Sequence, residues 1–264
     1  MAGRPWLVRQ AGPPARAALW WTLRSRGREV TARSASAPCL VLAAHPDDET
    51  LGCAATIMRK RDAGTPVTVV IATDGRHSTT AARTTPSALA ARRASEAVVA
   101  GRAMGLASED ITLLNFEDGR LQDESDQLAP IIAALLERHE PDEVLVTSRR
   151  DPHPDHATLG MAARRAVALW GRRRVRILEY PIWQWRTPRS WLPHGRWSAL
   201  AALRPELVST EGYLARKRVA LEAYESQTKR PLGEPDWWTM DDRFVVNFFR
   251  SYELFLPVPP GSLD

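Results

Sequence analysis

Short apolar runs recur along the chain, separated by longer segments of mixed texture. The runs are Cys39–Ala44, Val67–Thr73, Ile111–Phe116, Glu143–Thr147 and Arg176–Tyr180. They are rich in Val, Ile and Leu with little polar interruption, the pattern of strands buried on both faces. Between them, Thr50–Ala63, Pro86–Leu106, Leu128–His139 and Ala157–Trp170 repeat their apolar positions at helical spacing. Gly64-Thr65-Pro66 and Asp74-Gly75 punctuate the pattern as turns, and Gly105 supplies a helix stop. Strand and helix alternate, which predicts an α/β fold with a mostly parallel sheet covered by helices.

The two ends differ in texture. Residues 1–37 form an N-terminal leader, set apart from a main unit at 38–264. Ala15–Arg28 reads as a helix with Leu19, Trp20 and Leu23 on one face. Its apolar stretch is short, so a helix packed on the edge of the domain is expected in place of one lying on a membrane. Arg76–Thr85, rich in Thr, Ser and Arg, reads as a mobile loop over the strand ends. After residue 181, Trp183, Trp185, Trp191 and Trp197 fall among prolines and arginines, which predicts a Trp-rich C-terminal subdomain with a substrate-side region at about 181–210. Trp183 and Trp185 follow a strand end, where indoles either flank a sugar or simply pack. Gly212–Ser226 reads as a basic amphipathic helix and Phe244–Phe255 as a last strand.

Composition narrows the class. The 264 residues, 44% of them apolar, suit one α/β domain with an appendage. No apolar run reaches bilayer length, and no signal-peptide core is present. The net charge of +5 is carried almost wholly by arginine, scattered among acids. The clusters Arg59-Lys60-Arg61 and Arg172-Arg173-Arg174 are short, so the charge reads as a solvated surface and not as a nucleic-acid face. Two cysteines, Cys39 and Cys53, sit in apolar contexts, which argues against a disulfide framework and for a reducing, cytoplasmic setting.

Candidate chemistry is concentrated just past two strands. His45-Pro46-Asp47-Asp48-Glu49 follows the first run, and Asp151-Pro152-His153-Pro154-Asp155-His156 follows the fourth. Open α/β sheets bind ligands at the carboxyl ends of their strands. His45 and Asp48 are three residues apart, close enough to share one metal ion. With His156 they supply a two-histidine, one-carboxylate set with an open position, suited to catalytic zinc and also to iron(II). Asp47 would then sit beside the metal and take a proton from its water. His153 would donate to the developing oxyanion, and Asp155 would orient His153. A closed structural zinc site would more often use four ligands, commonly cysteines, and the two here are poorly spaced for it.

Ala44–Glu49 and His153–His156 together resemble the paired signatures of the LmbE-like, or PIG-L, family. That family includes GlcNAc-phosphatidylinositol de-N-acetylases and the deacetylases of the mycothiol and bacillithiol pathways. The resemblance spans about residues 38–180, and the stretch Lys217–Gln227 is similar to a C-terminal helix of the family. It implies a Rossmann-like fold and metal-dependent removal of acetate from an N-acetylglucosamine-type sugar or glycoconjugate, a small-molecule partner. By position it assigns His45, Asp48 and His156 to the metal, Asp47 to the general base, and His153 with Asp155 to the intermediate. Arg93 and Asp118 resemble residues that contact sugar hydroxyls. Ala44 stands where many members have Pro, and Cys53-Ala54-Ala55 where glycines are common; neither change touches a proposed ligand.

Overall fold

The computed structural model describes residues 13–79, 83–172, 175–191, 200 and 202–259. Trp197, Arg173, Arg174 and residues 1–12, all part of the expectations above, lie outside them. Its strands are β1 (Arg28–Glu29), β2 (Cys39–Ala43), β3 (Val67–Thr73), β4 (Ile111–Phe116), β5 (Glu143–Thr147), β6 (Arg176–Tyr180), β7 (Glu206–Ser209) and β8 (Tyr252–Pro257). They form one sheet in the order β1-β7-β8-β6-β5-β2-β3-β4. Strands β2 to β6 pair in parallel, as the unbroken apolar runs predict. Strand β8 runs antiparallel to both β6 and β7.

The period-two rule of strands divides the core into two layers. Cys39, Val41 and Ala43 of β2 point into one cluster with Ala54, Ile57 and Met58 of α3 (Asp48–Asp62) and Ala97 and Ala100 of α4 (Pro86–Ala103). Leu40, Leu42 and Ala44 point the other way, onto Leu128, Ile132 and Leu136 of α5 (Ser125–His139) and Leu159 and Ala163 of α6 (Pro154–Trp170). Each fully buried leucine in such a layer contributes about 1.5–3 kcal/mol relative to exposure. The N-terminal helix α1 (Pro13–Arg26) joins the first layer through Trp20 and Leu23, β1 pairs with β7, and the short helix α2 (Thr31–Ala35) leads on to β2.

Several boundaries differ from the sequence expectation. Helix α3 begins at Asp48, not Thr50, because Asp48 and Glu49 are favoured in the first turn by the positive end of the helix dipole. The expected strand at Phe244–Phe255 is helical at its start. Asp241 accepts a hydrogen bond from the Phe244 backbone N–H at 2.7 Å and caps the helix Asp242–Val245, and only Tyr252–Pro257 is extended. The apolar residues there have i, i+4 spacing: Phe244 and Phe248 meet edge to face at 5.0 Å. The expected helix over Gly212–Ser226 breaks into Leu214–Glu222 and Glu225–Thr228. Lys217 within it is buried, donating to Glu253 and to the Leu51 carbonyl, both at 2.7 Å. Strands β1 and β7 had no signal, being two and four residues long.

The strand order sets the position of the functional residues. Chain direction across the sheet reverses between β2 and β5, which lie side by side with Leu42 opposite Val146. The connections after these two strands depart to opposite faces and leave a crevice at their carboxyl ends. Both histidine-acid motifs emerge there.

Candidate active site

The first motif is a tight turn between β2 and α3. Asp47 has φ +131°, a sparsely populated backbone region for a residue with a side chain. Strain of that kind costs on the order of 1–3 kcal/mol and must be held in place. The His45 N–H donates to Asp48 Oδ2 at 2.8 Å, and the Asp47 N–H donates to Glu49 Oε2 at 3.1 Å. Arg93, reaching over from α4, donates to the Pro46 carbonyl and, at 2.8 Å, to Asp47 Oδ2. Gly75 leaves room for this guanidinium: at φ +65°, an added Cβ would lie 2.3 Å from Arg93 Nη1.

The second motif is locked in a similar way. The Asp155 N–H donates to His153 Nδ1 at 3.2 Å, so the His153 side chain caps α6, with Pro154 at the first helical position. Nδ1 is thereby an acceptor, and a neutral His153 carries its proton on Nε2. Gly160 lets α6 sit close to β5, since a Cβ there would meet the backbone of Thr147 and Arg149 at 2.7 Å.

Three ligand-type atoms converge from the two motifs. His45 Nδ1 lies 3.0 Å from His156 Nε2 and 3.5 Å from Asp48 Oδ2, and His156 Nε2 lies 3.3 Å from Asp48 Oδ2. Donors about 2.0–2.1 Å from a tetrahedral zinc stand at comparable separations from one another, so the triangle fits one ion. The outer ring nitrogens fit it too. His45 Nε2 lies 3.0 Å from Asp155 Oδ2 and 3.1 Å from Asp118 Oδ1. His156 Nδ1 lies 3.5 Å from Asp151 Oδ1 and makes no hydrogen bond of good geometry. Metal-bound histidines characteristically give their second nitrogen to a carboxylate. A looser group, His45, Asp118, His153 and Asp155, has its ligand-type atoms within 4.8 Å of one another. Asp155 is already engaged there, accepting from the Gly119 and Leu121 N–H groups at 2.7 and 3.1 Å.

The charge states follow from this crowding. Burial opposes charge on His45, but Asp118, Asp155 and Asp48 outweigh it and push its pKa well above the ordinary value. Burial likewise opposes charge on His156, and Asp48 and Asp151 reverse the direction. Burial would raise Asp48, but His156 and His45 hold its carboxyl below the usual range. Burial pushes Asp47 up to about 8, against the pull of Arg93. A cation bound at the triangle would displace the imidazole protons, the usual coupling of metal binding to proton release.

All eight residues singled out from the sequence lie around this cluster. His45, Asp47, Asp48, Arg93, Asp118 and His153 line one cleft, with His156 and Asp155 buried behind it. The cleft is half open to solvent and encloses a cavity of about 200 Å³. Arg93 is only 2% exposed and is committed to Asp47, Pro46 and Gly75. The Asp155 backbone N–H is what bonds His153, while the Asp155 carboxylate meets His45 and the 119–121 turn.

Other participants were assigned no role from the sequence. Asp151 Oδ1 accepts from the His153 N–H at 3.0 Å, and its Oδ2 accepts from the Ile182, Trp183 and Gln184 N–H groups at 3.2, 2.8 and 3.3 Å. Tyr224 donates to Glu49 Oε1 at 2.6 Å and so braces the Asp47 turn. The two indoles expected near a sugar separate: Trp183 lines the cleft, whereas Trp185 packs with Trp20 and Trp191 in the core.

Residues 40–167 match the PIG-L family, described as GlcNAc-PI de-N-acetylase. The matched segment is thus similar to that family over a little under half of the chain. The chain is 31% identical over 134 residues to the probable N-acetyl-α-D-glucosaminyl L-malate deacetylase 2 of Bacillus cereus, an overlap taking in 49% of this chain and 60% of that relative. It superposes on N,N'-diacetylchitobiose deacetylase from Pyrococcus horikoshii with a TM-score of 0.67 and 22% identity, covering 92% of this chain and 90% of the other. It also superposes on 4-carboxy-2-hydroxymuconate hydratase from Pseudomonas putida, with a TM-score of 0.60 and 16% identity over 84% and 97% of the two chains. At these identities the superpositions show the fold alone. A deacetylase and a hydratase share it, so the reaction of this protein has to be argued from its site.

Proposed function

We propose that this protein hydrolyses the N-acetyl group of an N-acetylglucosamine-type sugar or glycoconjugate, releasing acetate and a free amine. The observation that carries this reading is the triangle of His45 Nδ1, Asp48 Oδ2 and His156 Nε2, opening on a cleft that also presents Asp47 and His153. Its donor set favours zinc, with iron(II) the alternative. Such an ion, when bound, supplies Lewis acidity for an amide carbonyl and makes a water more acidic.

The remaining steps belong to side chains of this chain. Asp47, clamped by Arg93, accepts the proton of the attacking water. Ionisation of Asp47 is favoured by the guanidinium and opposed by burial, so Arg93 is a positioning and charge-setting residue here. His153 hydrogen-bonds the carbonyl oxygen through its Nε2–H as negative charge develops, and Asp47 passes the proton it took from the water on to the departing amine. Asp155 holds His45 and the 119–121 turn, and Asp118, which meets His45 through Oδ1 and accepts from the His77 N–H through Oδ2, borders the space a sugar would occupy.

The test is primary-amine release from a panel of N-acetylglucosamine conjugates, with metal content measured on the same zinc-loaded and chelated protein. Metal-dependent release from any member is the expected result. No release from a stoichiometrically loaded protein would leave a metal site and remove the deacetylase. No release and no bound metal would undo the ligand assignment as well, leaving a glycan-binding protein.

A further inference from the structure

We infer that this cleft is built for a glycoside whose uncharged substituent lays a planar or apolar face against Trp183, Trp238 and Met240. The inference rests on the deacetylase reading of the same cleft and narrows its substrate class.

The lining has two parts. The PIG-L segment contributes the polar one described above. Ile182, Trp183, Trp238, Met240 and Phe244 contribute the other, and none of them falls within residues 40–167. Trp183 stacks on Phe244 with ring centroids 4.8 Å apart and planes 20° from parallel, and Trp238 approaches Trp183 at 5.9 Å. A bare amino sugar filling this cleft would set hydroxyls against indole and thioether surface, and a polar group that gives up water without a new partner is penalised. An apolar substituent gains from the same surface.

Charge points the same way. Among the described lining residues Arg93 is the one arginine or lysine, and its guanidinium is committed to Gly75, Pro46 and Asp47. Asp47, Asp48 and Asp118 place carboxylates in the same lining. An anionic substituent, such as the malate in the name of the Bacillus cereus relative, would therefore meet no uncommitted arginine or lysine in this lining, whose other basic side chains are the imidazoles of His45, His77 and His153.

The wall is also set in advance. The Trp183 N–H is held by Asp151 Oδ2, the Trp238 N–H donates to Thr79 Oγ1 at 2.7 Å, and the Met240 N–H donates to the Gln227 carbonyl at 2.8 Å. A surface fixed before binding loses little freedom when a ligand arrives.

The test compares N-acetylglucosamine with its methyl, 4-nitrophenyl and L-malate glycosides by primary-amine release at equal metal loading. The 4-nitrophenyl glycoside should exceed the free sugar in kcat/KM by about tenfold, chiefly through KM, and the malate glycoside should not exceed the methyl one. Trp238→Ala and Met240→Ala should compress the ratio of aryl to methyl glycoside, and Trp238→Phe should keep most of it. Equal rates for aryl glycoside and free sugar, preference for malate, or a proportional loss on all four sugars in Trp238→Ala would overturn the inference. If no sugar is hydrolysed, the deacetylase reading fails by itself. Calorimetric affinities of the metal-loaded protein for the same four sugars then decide the inference by the same ordering.

Discussion

The polar and aromatic parts of the cleft face the same space and are held in different ways. On the polar side nearly every group is fixed by another side chain or by a charged contact: Arg93 on Asp47, Asp118 and Asp155 on His45, Asp151 on His156. On the aromatic side the rings pack on one another, and their backbone N–H groups are tied to Asp151, Thr79 and Gln227. Charged groups in a buried cluster are coupled, so one substitution disturbs all of them. A wall of rings hung from its backbone tolerates a changed ring with mainly local loss. The polar side should therefore resist variation, while the aromatic side can be retuned. Asp151 joins the two, with one oxygen on each.

The sharpest way to break this comparison is Asp47→Asn. Turnover should fall by about 10²–10⁴-fold, the usual worth of a general base, while metal content by plasma mass spectrometry stays at the wild-type level. Retained turnover would remove Asp47 from the reaction. Asp151→Asn should reach both sides at once. Metal affinity, read by competition with a chromophoric chelator, should weaken by about 10–100-fold, and the preference among glycosides should shift with it. A change in only one of the two would show that Asp151 does not couple them. Gly160→Ala probes the scaffold beneath both, because its Cβ would press on the Thr147 and Arg149 backbone. It should lower stability by about 1–3 kcal/mol in urea unfolding, and an unchanged midpoint would show that α6 can move away from β5. The smallest effect concerns the thiols. Cys39 and Cys53 are buried, and burial pushes the Cys39 thiol up to about 12. A raised pKa leaves little thiolate at pH 8, so neither cysteine should react with iodoacetamide until the protein is unfolded. Modification of the native protein would mean that the sheet face opens.

The polar side was readable because its residues are local in sequence. His45 to Glu49 and Asp151 to His156 each sit within one turn, just past an apolar run whose strand character is plain. The strand limits at Val67–Thr73, Glu143–Thr147 and Arg176–Tyr180 were equally plain, since a buried strand is dominated by apolar residues, and those of Ile111–Phe116 were plain too although it is the half-buried edge strand of the sheet. The bracing partners were not readable. Arg93 resembled a sugar-contacting residue, and only its burial shows that it serves Asp47. Tyr224 meets Glu49 across 175 positions, and Asp151 meets Trp183 across 32, separations that leave no periodic trace.

The chain's own pattern of apolar runs and helical repeats therefore determined the α/β architecture, and the strand-end motifs determined which residues are proposed to carry chemistry. Local physics suffices for both: side-chain periodicity selects the element, and a short turn keeps its residues together. Tertiary structure decided the rest. Strand order brought the ends of β2 and β5 together at the switch point, turning two distant motifs into one triangle of donor atoms. It also sent Trp183 to the cleft and Trp185 to the core, although the two indoles are two residues apart. Their surroundings come from Trp238, Phe244, Trp20 and Trp191, and only packing between distant segments puts those residues where they are.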